Sequence, residues 1–170
     1  MTAWRALTCA LLPLLWSAAA AAEPTDIAVK AAFLPRFARY VSWPASAMPK
    51  GSDPFVLCVI GRDPFGAMLD DAARTQLIDG RRIVVRRLET ATPAGGCHIA
   101  FVASSGNQFP PVVGQAVLTV TDANNGGPRG IINFVIANGR VRFFIDQKSA
   151  AQRGLSISSR LLALAVGVRQ

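Results

Sequence analysis

The side chains that most often carry out catalysis are sparse in this sequence of 170 residues. It contains a single histidine, His98, whereas a Ser-His-Asp site needs a base beside a nucleophile and a zinc site needs several clustered ligands. His98 follows Cys97 in a strand-like run, and neighbouring strand residues point to opposite faces, so the two cannot form a local nucleophile and base pair. Of the scattered carboxylates only Asp70 and Asp71 are adjacent, and such neighbours do not share a helix face. The sequence therefore predicts no catalytic residue, no metal site and no cofactor, and gives His98 a structural or partner-contacting role.

Hydroxyl and cationic side chains gather near the C-terminus, in Ser156, Ser158, Ser159 and Arg160. They lie at the predicted start of a helix, where free backbone amides attract anions and a nearby guanidinium adds to the attraction. The pattern predicts a site for a small anionic ligand. The alternative is that Ser158 only caps the helix and that Arg160 is solvated.

A glycine-containing turn, Gly61 to Gly66, follows a predicted strand and precedes a predicted helix. In open parallel sheets this is the ligand-binding end. The turn lacks the glycine spacing of dinucleotide-binding and P-loop motifs, so its glycines favour a tight turn over a phosphate site. It is the second candidate for the anion.

The N-terminus has the pattern of a secretory signal peptide. Arg5 precedes an apolar run, and small residues lead to an A-x-A cleavage site at Ala20–Ala22. A membrane anchor needs about 20 consecutive apolar residues, and this run is shorter and contains Pro13. We expect residues 1–22 to be removed, leaving a single domain over residues 23–170 in the periplasm or another extracytoplasmic compartment.

The exported chain is basic. It keeps 17 basic residues, the 18 of the whole sequence less Arg5, against 10 acidic ones, which gives a net charge of +7. The clustered arginines Arg81, Arg82, Arg86 and Arg87 have no interleaved aromatic residues and read as solvated strand ends. We therefore expect no nucleic-acid partner. Outside the cytoplasm such a charge meets acidic partner surfaces, anionic lipids or small anions.

Two cysteines remain after cleavage, Cys58 and Cys97, and each lies in an apolar strand-like run. In an oxidising compartment an even pair predicts a disulfide bond. The alternative is two buried free thiols on adjacent strands.

The first helix is predicted from about residue 26 to residue 41, with Pro35 expected to kink it. One apolar face follows the helical period, and a second stripe runs beside it. The face comprises Ile27, Ala31, Leu34, Ala38 and Val41, and the stripe comprises Phe33, Phe37 and Tyr40. So broad an apolar surface predicts that the stripe contacts a partner. The alternative is that the whole helix packs within one monomer.

Downstream, apolar strands alternate with helical or turn segments, the order typical of a parallel sheet. Asn138-Gly139 is a strong hairpin signal and pairs Ile136 with Val141, Phe134 with Phe143 and Ile132 with Ile145. A last helix is predicted over residues 159–168. The fold class is therefore α/β, a mostly parallel open sheet flanked by helices, with a C-terminal antiparallel β-hairpin and a final helix.

Several separated blocks resemble the YfiR-like periplasmic regulators, and together they span nearly the whole exported chain. They include Phe33-Leu34 with Tyr40-Val41-Ser42-Trp43-Pro44, Leu57-Cys58-Val59-Ile60-Gly61, Cys97-His98-Ile99, Gly130-Ile131-Ile132-Asn133-Phe134, Val141-Arg142-Phe143 and Leu155-Ser156-Ile157-Ser158-Ser159-Arg160. Two departures stand out: the second cysteine pair of the best-known member has no counterpart, and the family's usual Asn after the Phe-x-Ile strand is Asp146.

The resemblance implies a non-catalytic regulator, often dimeric, that binds the periplasmic sensor domain of a membrane-bound diguanylate cyclase and holds the cyclase inactive. Cyclic di-GMP and biofilm formation would then stay low. It also implies a redox-sensitive disulfide, which Cys58 and Cys97 would supply. Because family members also occur beside other membrane receptors, another membrane signalling protein is an alternative partner, and a sensor of a small anion is the alternative function.

Overall fold

Unbroken apolar runs of the sequence form the central strands of the fold. A computed structural model describes residues 25–90, 96–103, 116–123 and 129–170, and the predicted signal peptide lies outside the described residues. In its central strands, Phe55–Ile60 and Ile99–Val102, every residue is buried. Burial on both faces of a strand is typical of a parallel sheet covered on its two sides.

Ten strands and four helices are described. The strands are β1 (Val41–Ser42), β2 (Phe55–Ile60), β3 (Leu77–Ile78), β4 (Arg81–Leu88), β5 (Ile99–Val102), β6 (Leu118–Asp122), β7 (Ile132–Ala137), β8 (Arg140–Asp146), β9 (Ser156–Ile157) and β10 (Gly167–Arg169). The helices are α1 (Asp26–Phe37), α2 (Ala67–Arg74), α3 (Gln147–Gln152) and α4 (Ser159–Leu162), with 3₁₀ turns at Ala38–Tyr40 and Ala45–Ala47.

Eight of the strands form one sheet in the order β10-β8-β7-β6-β5-β2-β4-β3. Neighbours pair in parallel except at β7 with β8 and at β3 with β4, which are antiparallel. The remaining two, β1 and β9, form a separate antiparallel pair. The predicted fold class is confirmed, since the sheet is mostly parallel, helices flank it, and the C-terminal part of the chain contributes the antiparallel hairpin β7–β8.

The hairpin β7–β8 has the predicted register. Asn138 and Gly139 both have positive φ, +52° and +68°, as a type I′ turn requires. Ile136 is paired with Val141, Phe134 with Phe143 and Ile132 with Ile145. A two-residue turn fixes which residues stand opposite each other, so the face that carries Phe134 and Phe143 is fixed as well.

Helix α1 lies on that face. Thr25 caps its N-terminus by accepting a hydrogen bond from the amide of Ala28 at 3.2 Å. The α-helix ends at Phe37, four residues before the predicted end, and continues as a 3₁₀ turn. Pro35 stays inside the helix, where it cannot donate to the carbonyl of Ala31. None of the described helices is long and apolar enough to cross a membrane.

The last predicted helix is wrong in its length. Helix α4 ends at Leu162, and the chain then turns and adds β10 in parallel beside β8. The amide of Val166 donates to the carbonyl of Phe143 at 3.0 Å, which starts this pairing. Residues Val166 to Val168 alternate β-branched side chains with a glycine, a composition that favours a strand once a sheet edge is available.

Candidate functional site

The predicted disulfide is present. Cys58 of β2 and Cys97, two residues before β5, are bonded, and their Cα atoms lie 5.8 Å apart. Both cysteines belong to an apolar cluster on the sheet face away from α1, with Val56, Ile60 and Ala100. The alternative of two free buried thiols is excluded, and the bond joins β2 to the segment that leads into the adjacent parallel strand β5.

His98 has a structural role. Its Nδ1 accepts a hydrogen bond from the amide of Val56 at 3.0 Å, and its ring stacks on Phe55 with centroids 4.4 Å apart. Burial lowers the pKa of the imidazole, and the charge of Arg86 lowers it further. A neutral ring accepting from the backbone holds the start of β5 against β2.

The predicted partner-binding stripe is wrong for its central residue. Phe37 is 1% exposed, and its ring lies 5.2 Å from that of Phe143 and 5.7 Å from that of Phe134. Phe33, half-buried, stacks on Phe37 and meets Phe143 edge-on. The stripe therefore faces the hairpin of its own sheet, and Phe33 and Tyr40 are its partly exposed members.

The predicted anion segment forms a rim with a basic residue from elsewhere in the chain. Ser158, Ser159 and Arg160 line a depression of about 340 Å³ together with Arg39 and Tyr40. Ser156 lies in β9, where it pairs with Ser42 of β1.

The helix behind that depression is shorter than predicted, and the amide of its third residue, Leu161, is already engaged. Ser158 caps α4, since its hydroxyl accepts from the amide of Leu161 at 3.4 Å. A four-residue helix has little macrodipole, so the anion site remains a prediction that rests on Arg39 and Arg160.

The turn Gly61 to Gly66 is occupied by its own chain. Asp63 accepts from the amides of Phe65 and Gly66, at 2.7 and 3.2 Å. Arg87 of β4 bonds to Asp63 at 2.7 Å and to Asp70 of α2 at 2.7 Å. The bond from Arg87 lowers the pKa of Asp70 although partial burial opposes it. These contacts give the turn a structural role, clamping α2 to the sheet.

Two features were not predicted from the sequence. The first is an exposed apolar edge at the C-terminus, formed by Leu164, Val166 and Val168, which the sequence had placed on a helix. The second is a group of buried polar side chains on the sheet face away from α1, Thr119, Thr121 and Asn133. Alternation within a strand could have revealed this group, because these residues are interleaved with the core residues Leu118, Val120 and Phe134.

Within the described ranges, no three His, Cys, Asp or Glu side chains are grouped so that they could hold a metal ion.

Together these observations define a disulfide-linked α/β domain built on a mixed eight-stranded sheet. The family model described as YfiR/HmsC-like matches residues 27–166, and the chain belongs to that family. A search of the curated proteins finds no match to it.

Proposed function

We propose that this protein is a non-catalytic periplasmic regulator that binds and represses the sensor domain of a membrane-bound diguanylate cyclase. The observation that carries the proposal is the family match over residues 27–166. It suggests control of cyclic di-GMP signalling, and repression by direct binding is the finer step that the experiments below address. Under this proposal the protein lowers cyclic di-GMP and biofilm formation, and it performs no chemistry of its own.

The periplasmic location is supported by two independent features. The predicted signal sequence ends at an A-x-A site before residue 23. The Cys58–Cys97 bond is of a kind that persists in oxidising compartments and is rare in the cytoplasm. N-terminal analysis of the periplasmic protein is expected to begin at Glu23, and recovery of the chain with residues 1–22 attached would contradict the location.

We propose that the cyclase contacts the C-terminal apolar edge, defined as Leu164, Val166 and Val168. Leu164 is 57% exposed, and the two valines of this edge are also exposed. Strand β10 is terminal in the order of the described sheet, so its outer backbone groups are placed to pair with an added strand. Clustered exposed apolar side chains are typical of protein interaction sites.

The matched substitutions Leu164→Glu and Leu77→Glu test this surface. Leu77, 62% exposed, lies in β3 at the opposite end of the sheet. Leu77→Glu places a carboxylate on that edge strand, and Leu164→Glu places one just before the edge strand β10. In pull-down of the purified cyclase sensor domain, Leu164→Glu is expected to reduce capture at least tenfold, whereas Leu77→Glu retains it. Equal capture by both variants would place the contact elsewhere.

A cellular measurement tests repression itself. Deletion of the gene is expected to raise cyclic di-GMP and biofilm, and re-expression of the wild type or of Leu77→Glu is expected to lower them again. Unchanged cyclic di-GMP after deletion would contradict the repressor proposal. The absence of a neighbouring gene for a membrane protein with a GGDEF output domain would favour the small-anion sensor instead.

The second candidate function is sensing of a small anion at the Ser158 depression. The placement of Arg39 beside Arg160 favours it, because two guanidinium groups border one cavity. Inorganic phosphate is then expected to raise the melting temperature of the wild type but not that of the double variant Ser159→Ala, Arg160→Ala. An equal shift in the double variant would remove this candidate.

A further inference from the structure

A pocket of about 250 Å³ lies over β7, β8 and β10. Strand alternation puts it on the sheet face away from α1, since Phe134 and Phe143 pack toward α1 while their neighbours Asn133 and Phe144 point the other way. The pocket shares no lining residue with the Ser158 depression. It is a separate candidate for a ligand.

The floor of the pocket is one row of the sheet. Asn133 of β7 is paired with Thr121 on one side and with Phe144 on the other, and Phe144 is paired with Gly167 of β10. The side chains of a row stand side by side on one face. The row therefore presents an amide and an aromatic ring next to each other.

Asn133 has an unused donor at this floor. Its residue is 4% exposed. Thr121 Oγ1 accepts from the amide of Gly130 at 2.9 Å and directs its hydroxyl hydrogen to Asn133 Oδ1 at 2.8 Å. The side-chain nitrogen of Asn133 has no acceptor within the described part of the chain. This nitrogen is not one of the fully buried unpaired side-chain atoms, so it is accessible from the pocket and can donate to an acceptor supplied by a ligand.

The absence of a side chain at position 167 sets the position of the ring. A Cβ built on Gly167 would lie 2.6 Å from Cε1 of Phe144, which means that the ring lies directly over the glycine. The ring is 44% exposed and forms an apolar wall beside Asn133. An exposed aromatic face in a pocket is suited to stacking with a flat ring.

The rim is positively charged. Arg129 and Arg169 line the pocket, against one carboxylate, Asp146. Asp146 is already engaged: it caps α3 by accepting from the amide and hydroxyl of Ser149 at 2.9 and 2.8 Å, and Arg169 Nε lies 3.5 Å from it. Burial opposes its ionisation, but the bonds from Ser149 and the charges of Arg169 and Arg153 outweigh burial and lower its pKa. The net rim charge favours an anion.

We propose that this pocket, the Asn133 pocket, binds a small aromatic carboxylate. The carboxylate accepts hydrogen bonds from the Asn133 amide and the arginine rim, and the ring packs on Phe144. The volume of about 250 Å³ restricts the ligand to about one ring with its substituents. The proposal goes beyond regulation of a cyclase and does not depend on it.

The test is a titration of ¹⁵N-labelled protein with benzoate, followed by amide chemical shifts. Saturable shifts are expected at Gly130, at Gly167 and at the Asn133 side-chain NH₂ group. Benzamide, which has the same shape without the charge, is expected to bind at least tenfold more weakly. Acetate, which lacks the ring, is expected to bind weakly as well.

Three arginine variants with the same change of charge locate the site. Arg129→Gln and Arg169→Gln are each expected to weaken benzoate binding about tenfold, whereas Arg160→Gln, at the rim of the Ser158 depression, leaves it unchanged. All three residues are exposed, so the variants are expected to fold. Loss of binding in Arg160→Gln, equal binding of benzamide, or shifts that avoid β7 and β10 would each overturn the proposal.

Discussion

The bond between Cys58 and Cys97 closes a loop of 39 residues between β2 and the segment that leads into β5. In the chain-entropy account a loop of this length stabilises the folded state by about 4 kcal/mol, because the cross-link restricts the unfolded chain. Urea unfolding of the double variant Cys58→Ala, Cys97→Ala is therefore expected to show a loss of up to that amount. The oxidised wild type, unfolded without reductant, is expected to show no reactive thiol. Two reactive thiols per exported chain would contradict the bond.

His98 predicts a dependence of stability on pH. Burial holds its pKa below the ordinary value of 6.5, so the unfolded chain binds the proton more readily than the folded one. Stability is therefore complete above about pH 6.5 and declines as the pH falls below that value, because protonation removes the acceptor that Val56 uses. The variant His98→Asn keeps an acceptor but does not titrate. Its unfolding free energy is expected to be nearly flat between pH 7 and pH 5, and a slope equal to that of the wild type would assign the effect to other groups.

For single residues, the sequence predicts which side chains form a bond better than it predicts which surface a side chain faces. The pairing of Cys58 with Cys97 follows from compartment and composition, which are properties of the residues themselves. The role of Phe37 depends on which side of α1 the sheet lies, and helical periodicity gives the angle between residues but not the identity of the surface they meet. Its aromatic partners, Phe134 and Phe143, are about 100 residues further along the chain.

Among the elements, α1 is fixed by a buried ion pair as well as by its apolar face. Lys30 Nζ lies 2.5 Å from Asp122 Oδ2 at the carboxyl end of β6, and both side chains are nearly buried. Removing Lys30 takes away the cation that faces the nearly buried carboxylate of Asp122, and breaking a buried pair in this way is strongly destabilising. Lys30→Met is expected to lower the unfolding free energy by about 3 kcal/mol in chemical denaturation.

The control for Lys30→Met is Arg74→Met. Arg74 pairs with Asp71 on the surface of α2, where both side chains are mostly exposed, and such pairs contribute about 0 to 1 kcal/mol. Equal losses in the two variants would mean that the Lys30 pair is solvated and does not hold α1.

The elements also show where local signals are sufficient. The β7–β8 register follows from a two-residue turn, because Asn138 and Gly139 tolerate positive φ. The side-chain period of 2 then determines which residues lie on each face of the hairpin. The last helix fails for the opposite reason. Residues 163–168 are apolar enough for a helix, but the edge of β8 offers backbone hydrogen-bond partners to β10. No local sequence pattern predicts this long-range pairing. The Asn133 pocket depends on that same edge, since Gly167 places the ring of Phe144.

For the whole molecule, the two ends of the sheet differ in how they meet solvent. At one end β3 is only two residues long and is held in an antiparallel pair with β4, a short edge of the kind that limits pairing with other chains. At the other end β10 is also short, with three residues, but it lies beside a cluster of three exposed apolar side chains, the C-terminal apolar edge. Association with another protein, whether a copy or a cyclase, is therefore expected at the β10 end.

A homodimer is the expected state in the absence of the cyclase. The C-terminal apolar edge is the surface we expect it to use, so a second copy and the cyclase would compete for that edge. Two copies related by a two-fold axis could pair β10 with β10 in antiparallel fashion, which would satisfy the outer backbone groups of both strands. A stable dimer also needs about 800 Å² buried on each copy, more than three residues of β10 supply, so Leu164 and Val166 must be part of the contact. Sedimentation equilibrium is expected to give twice the monomer mass for the wild type and for Leu77→Glu, and the monomer mass for Leu164→Glu. If Leu164→Glu stays dimeric but loses the cyclase, the edge serves the partner alone, and a wild type that remains monomeric at every concentration would rule out the homodimer.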